Sequence, residues 1–499
     1  MSFFLDPPAL FILGSILYPL SRRLGWSSRV TFIVGGFITL ILFMGGSTLL
    51  YLDVIRWNIP FLVDQQGSVW MFHTDITGVD KSHVPLALAV LLLILYPLWT
   101  HLGYHASRRA STRPMLLSRL IFKAEDMKSR VRLLPTQFAV VRDSYSRRAV
   151  RQAIDQLGGM GKFVRKGDKV MIKVNICGGN PLIRGSFTSI DVADEVVRMV
   201  REAGGEPLVC DSDMIWTEFY HAARDEGYLK WAKTAKVPLV NLGRTRCAYF
   251  GFPEDSAIGS TIVSQDLIDA DVVISVPTMK THILTTVTLG MKNMYGAFPE
   301  KDKAKYHRCG IEQVVFEVAR AFTPTLTVID GSIGGEAYGP LSCRPVNCQT
   351  IIASTDVVAA DSLAAQLMGY DPLDIVHIQK AHEAGVGKAD VKLDFSSLPY
   401  KHEKDGKWER PSTEASLFYG ALLESALVMP GMVEYFNLVA DFFLYGTATL
   451  PILRDLTPQA EAVIDDVFGA LVRSRIIAPG FTGRLTRQLQ RAGARIGIA

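Results

Sequence analysis

The stretch KVMIKVNICGGNPLIRGSFTSIDVADEVVRMVREAGGEPLVCDSD (169–213) decides the fold class. It opens on a β-branched apolar run, 169–175, and closes on a second, 207–210 (PLVC). Between them apolar residues recur at helical spacing over 190–203, with Ser189 at the N-cap position and Gly204-Gly205 as the stop signal. Continuous apolar strands separated by a helix belong to sheets buried on both faces. The pattern recurs with strands over 271–276 (DVVISV), 326–329 (LTVI) and 350–353 (TIIA), and helices over 311–322 and 357–368. The expected fold is therefore α/β, a mostly parallel sheet with helices on both faces.

What ends each strand suggests a site. The first run carries Lys173 and Asn175, two apart and so on one face. The second ends at Asp211, the third leads into Thr278, Lys280 and His282, the fourth into Asp330 with Gly334-Gly335-Glu336 behind it, and the fifth into Asp356. Open α/β sheets bind ligands outside the carboxyl ends of their strands, so parallel strands would bring these polar tips to one edge. Lys292, Asn293 and His307 follow closely in sequence. Basic groups beside Gly-rich turns favour an anionic ligand. His282, Lys280 and His307 are the expected catalytic groups, with His282 the candidate general acid or base because imidazole titrates near neutrality. Lys173, Asn175, Lys292, Asn293, Asp211, Asp330, Glu336 and Asp356 are the expected substrate-binding groups. Asp361 is a further carboxylate able to orient the lysines. Any single one of these residues has a plainer reading as a cap, turn former or solvated charge; their convergence makes the case.

Outside this region the chain changes character. Residues 30–52 carry no charge, and 84–104 none if the histidine is neutral, each long enough to cross a bilayer. A shorter apolar segment, 7–21, adds a third expected span, giving a membrane anchor over 1–105. Arg22, Arg23 and Arg29 lie in one loop and Arg108, Arg109 and Arg113 follow the last span, which places both loops and the large domain on the cytoplasmic side of the cell membrane. A basic linker, 106–134, then precedes the α/β domain over 135–410, and 411–499 reads as amphipathic helices. Membrane lipids are the expected partners, with a membrane protein partner an open alternative. A net charge of +4 excludes a broadly basic nucleic-acid surface. The six cysteines contain no C-x-x-C pair, and no spacing fixes a metal, flavin or iron–sulfur group, so the cofactor stays unknown.

The segments PTMKTH (277–282) and MKNMYG (291–296), with His307, resemble the signature of the domain-of-unknown-function 362 family. IKVN (172–175), VCDSD (209–213), IDGSIGGEAYGP (329–340) and STDVVAADS (354–362) agree in order, and the resemblance spans roughly 135–390. It implies an α/β fold. Many members carry a ferredoxin-like insert with cluster cysteines, which this chain lacks. The expected function is a membrane-anchored enzyme acting on an anionic small molecule or lipid-linked substrate by proton transfer or redox chemistry, an oxidoreductase or isomerase. A non-catalytic ligand-binding or scaffold subunit is the alternative.

Overall fold

The computed structural model describes residues 2–24, 34–35, 38, 99–104, 106–107, 116–124, 134–177, 185–214, 218–299, 303, 306–307, 310–340 and 342–410. The chain divides into two compact units, Met1–Thr112 with Met429–Tyr435, and Arg113–Val428 with Phe436–Ala499.

In the first unit a helix spans Ser2–Leu24 and meets the helical residues 99–104 backbone to backbone. A Cβ on Gly14 would stand 1.7 Å from the Thr100 carbonyl oxygen, and one on Gly103 would stand 1.8 Å from that of Phe11. Glycine at both positions is what permits the contact. The Ser15 hydroxyl donates across it to the Gly103 carbonyl at 3.1 Å, and Tyr18 packs edge-on against Tyr104. Among the described residues no helix is long and apolar enough to cross a membrane, the Ser2–Leu24 helix around the expected 7–21 span included. Of the expected spans, only 34–35 and 38 of 30–52 and only 99–104 of 84–104 are among the described residues, and the 411–499 region lies entirely outside them.

The second unit carries the large sheet. Its strands are β2 (Phe138–Arg142), β3 (Lys169–Val174), β4 (Glu206–Asp211), β5 (Leu239–Asn241), β8 (Val272–Val276), β9 (Thr278–His282), β10 (Thr286–Thr288), β11 (Leu326–Tyr338), β12 (Ser342–Val346) and β13 (Thr350–Ser354). They run in the order β10-β9-β11-β8-β3-β4-β5, with β12 and β13 on β11 and β2 on β13. A smaller sheet joins β1 (Leu116–Lys123), β6 (Arg246–Gly251) and β7 (Ser260–Ser264). β1 falls inside the stretch read as a linker.

Alternation along β3 shows why its run is apolar throughout. Val170, Ile172 and Val174 face one core with the helices Ser146–Gln156, Ile190–Glu202 and Tyr228–Ala235. Met171 faces the other, beneath the helices Ile311–Ala321, Val357–Met368 and Val376–Glu383. Each such side chain contributes about 1.5–3 kcal/mol by leaving water.

The α/β class holds, but the sheet is mixed. The pairings of β3 with β4 and β8, β4 with β5, and β11 with β8 and β9 are parallel. Those of β11 with β12 and β13, β13 with β2, and β9 with β10 are antiparallel. The run 350–353 was expected to be a fifth parallel strand. It runs the other way, Ser354 lying opposite Thr327 near the start of β11, because no crossover helix separates it from β11. The fourth strand is also longer than expected. It continues through Gly334-Gly335, and its register on β9 shifts between Asp330 and Gly335.

Candidate functional site

The carboxyl ends of β3, β4 and β9 converge with the short helix Gly290–Tyr295 on a cavity of about 60 Å³. Lys173, Asn175, Asp211, Lys280, His282, Lys292, Asn293 and His307 line it, together with Cys177, Thr288, Tyr295 and Lys303. That volume holds a few waters or one compact ligand. Asp211 is the one carboxylate among the described lining residues, facing four lysines.

Part of this set is scaffold. The Lys173 ammonium pairs with Asp211 at 2.8 Å and donates to the Asn293 side-chain oxygen at 3.0 Å. Asn293 in turn donates to the Lys173 carbonyl and to Ser275. Asp211 also accepts from the backbone of Ile176 and Ser212. All three side chains are buried and mutually satisfied, so they lock β3, β4 and the helix Gly290–Tyr295 together. The sequence MKNMYG follows from this packing. A Cβ on Gly296 would meet the Lys173 ammonium at 2.7 Å and Asp211 at 2.9 Å, while one on Gly290 would meet Asp361 at 2.8 Å. Asp361 accepts from the backbone N–H groups of Gly290 and Met291 at 2.6 and 2.9 Å, fixing the start of the helix that carries Lys292. Burial pushes its carboxyl up to about 7.

The other lysines sit in different surroundings. Lys292 has no hydrogen-bond partner among the described residues; its ammonium stands 4.4 Å from the centre of the Tyr295 ring. Burial, with Lys303 nearby, pulls it down to about 7. Lys303 donates to the Ser212 hydroxyl at 2.6 Å and is lowered to about 8, mainly by burial. Lys280 is 1 % exposed and donates to the carbonyls of Ser186 and Pro340, with no carboxylate paired to it among the described residues.

The histidines depart from expectation. His282 Nδ1 accepts the backbone N–H groups of Leu284 and Thr285 at 3.0 and 3.2 Å, so its proton sits on Nε2. Burial, then the facing Lys292, His307 and Lys280, holds it far below the usual imidazole range. It is a fixed neutral donor at neutral pH, which corrects its assignment as a group titrating there. His307 Nδ1 donates to the Lys303 carbonyl at 3.2 Å, leaving the lone pair on Nε2 without a partner among the described residues, and burial with Lys292 lowers it to about 3.

Three expected binding residues lie elsewhere. Asp356 caps the helix Val357–Met368 through the backbone N–H groups of Val358 and Ala359, at the edge to which antiparallel β13 carries it. Glu336 is buried against Arg344 and Lys404. Asp330 accepts from the backbone N–H groups of Ser189 and Ser332 and borders a separate cavity of about 190 Å³ with Asp191, Asp225 and Glu226. Nor do Gly334-Gly335 cradle a ligand. A Cβ on Gly334 would strike the Trp408 ring at 2.3 Å, and one on Gly335 the Gly185 carbonyl at 2.4 Å. Conversely, Lys303 was not singled out in the sequence. It lies among Lys301 and Lys305 in a stretch that reads as solvated, and only its burial marks it. Among the described residues no group of His, Cys, Asp and Glu is arranged to hold a metal ion.

Fold and site together define an α/β domain with a lysine-rich chamber at the carboxyl ends of its strands. The chain belongs to the family of the domain of unknown function DUF362, whose model matches residues 170–366. It is 30% identical over 283 residues to the thylakoid-associated protein sll1697 of Synechocystis, an overlap covering 54% of this chain and 85% of that relative.

Proposed function

We propose that this protein is a membrane-associated enzyme of the DUF362 family that binds a compact anion in the lysine-lined chamber and moves a proton on it. The observation that carries the reading is Lys292: a buried amine without a hydrogen-bond partner among the described residues, held near 7 beside three further lysines. An anion entering the chamber relieves that repulsion, and a group whose pKa lies near the working pH can both take and return a proton. Lys280 and Lys303 supply positive charge, and the Nε2–H of His282 supplies a fixed donor for an oxygen that gains charge during the reaction. These roles favour proton transfer.

Membrane association rests on the thylakoid-associated relative and on the uncharged stretches 30–52 and 84–104, which are the segments that would hold the chain in a bilayer. The arginine distribution then puts the domain on the cytoplasmic side. Recovery of the full chain in the supernatant after alkaline carbonate extraction would overturn this part.

The test of the chemistry is mass spectrometry of the small molecule that co-purifies, followed by incubation of protein and ligand in D₂O. Deuterium entering a carbon-bound position of the ligand with the wild type and not with K292M supports proton transfer. Tight binding with no exchange makes the protein a binding module instead.

A further inference from the structure

The two histidines of the chamber present opposite faces of the same ring chemistry. We infer that the ligand is an oxyanion carrying its own hydroxyl, one that both accepts a hydrogen bond from His282 and donates one to His307. The inference rests on the anion reading above and narrows it to a chemical class.

On each ring Nδ1 is already committed to backbone, and in opposite senses. An N–H can only donate, so the two amides of Leu284 and Thr285 fix His282 Nδ1 as an acceptor and place the proton on Nε2. A carbonyl can only accept, so the bond to the Lys303 carbonyl fixes His307 Nδ1 as the proton-bearing atom and leaves Nε2 bare. Both side chains line the one cavity, and Nε2 is the ring nitrogen that each leaves without a partner among the described residues. Neither ring escapes by taking a second proton at neutral pH. Burial and the surrounding lysines oppose it for both, and His282 would also have to surrender an acceptor that holds two amides.

The charge of the chamber selects anions, but the pair of imidazoles divides them. A fully deprotonated anion such as sulfate or acetate satisfies His282 and the lysines. It also sets an oxygen lone pair against the lone pair of His307, or leaves that half-buried acceptor without the ligand's hydroxyl. A hydrogen phosphate or a 2-hydroxy carboxylate meets both. A site built to bond a hydroxyl discriminates strongly against the analogue lacking it, because the buried partner is stranded. Room for only a few heavy atoms keeps the candidates small.

The experiment uses the full chain in detergent, with thermal unfolding followed across titrations of four probe anions at pH 7.5. Glycolate is paired with acetate, and inorganic phosphate with sulfate. The expected result is apparent affinity at least about tenfold higher for the hydroxyl-bearing member of each pair. In H307F, which keeps a flat ring and loses the acceptor, that ratio falls towards one while acetate and sulfate bind as before. Equal affinities within both pairs in the wild type overturn the inference while leaving the anion reading intact. No stabilisation by any of the four overturns both. A variant whose ligand-free melting temperature has collapsed is replaced by H307L, read against the same ratio.

Discussion

Replacing Lys292 by methionine should make the empty protein more stable. Holding its ammonium near 7 rather than at the ordinary 10.5 opposes folding by about 5 kcal/mol at low pH, at about 1.4 kcal/mol per tenfold change in proton affinity. At pH 7 about 4 kcal/mol of that remains. The sign is fixed by proton counting. Between pH 7 and 10.5 the unfolded chain keeps the lysine proton and the native chain has lost it, so the wild type gains stability as pH rises through this window. Methionine fills a similar volume, keeps contact with Tyr295 and removes the ionisation. Thermal unfolding of the full chain in detergent, without added anions, should show K292M melting higher at pH 7 by at least about 5 °C, given about 2–4 °C per kcal/mol for a domain of this size. The gap should narrow towards pH 10. The slope that remains in the variant comes from Lys303, lowered to about 8. Added phosphate should stabilise the wild type and do little for K292M. A variant that melts at or below the wild type at pH 7 with an unchanged pH slope would refute the account, because the lysine would then not be a strained charge.

Other outcomes follow from the same geometry. G296A places a methyl within 3 Å of both Lys173 and Asp211, so it should cost about 2–3 kcal/mol in melting experiments and abolish phosphate-dependent stabilisation. D361A strands the N–H groups of Gly290 and Met291 and should cost about 1–3 kcal/mol for each. D361N should chiefly alter the acid side: with the folded carboxyl raised to about 7, its contribution is complete below pH 4 and lost as pH climbs to 7, and the amide should remove that decline from the stability profile. D356A loses a helix cap and should cost about 1 kcal/mol in stability with phosphate affinity untouched, a comparison that separates the two edges of the sheet.

The sequence carried the β–α–β pattern and the apolar strands because burial on both faces leaves no alternation to confuse the reading. It also placed Lys173 and Asn175 on one face, where period-two geometry is local and needs no tertiary knowledge. Strand direction is another matter. The run 350–353 is apolar whichever way it points, and the informative feature was the stretch 330–349, which contains no helical pattern and therefore no crossover. β1 was hidden for a different reason: its apolar run, LLSRLIF, sits inside a basic stretch whose charges suggest a topology signal. The site divides similarly. Residue types gave the cationic chamber, but the neutrality of His282 depends on desolvation and on two backbone amides that turn back onto its own ring. Lys303 shows the limit most clearly, since its neighbours in sequence resemble solvent-exposed lysines and only the tertiary fold takes it inside.

The crowding of Lys292 and Lys303 has a consequence for traffic through the chamber. Burial holds Lys292 near 7 and Lys303 near 8, so near pH 8 both are partly discharged and a negative guest would recharge them as it arrives. Capture of the guest is then accompanied by uptake of hydrogen ions from the medium, and alkalinity drives it back out. On the anion-binding proposal, loading is favoured where acid is plentiful and unloading where it is scarce. Calorimetric titrations with phosphate in buffers of differing ionisation enthalpy, at one pH near 8, read this exchange directly; identical heats in every buffer would mean that no hydrogen ion travels with the guest.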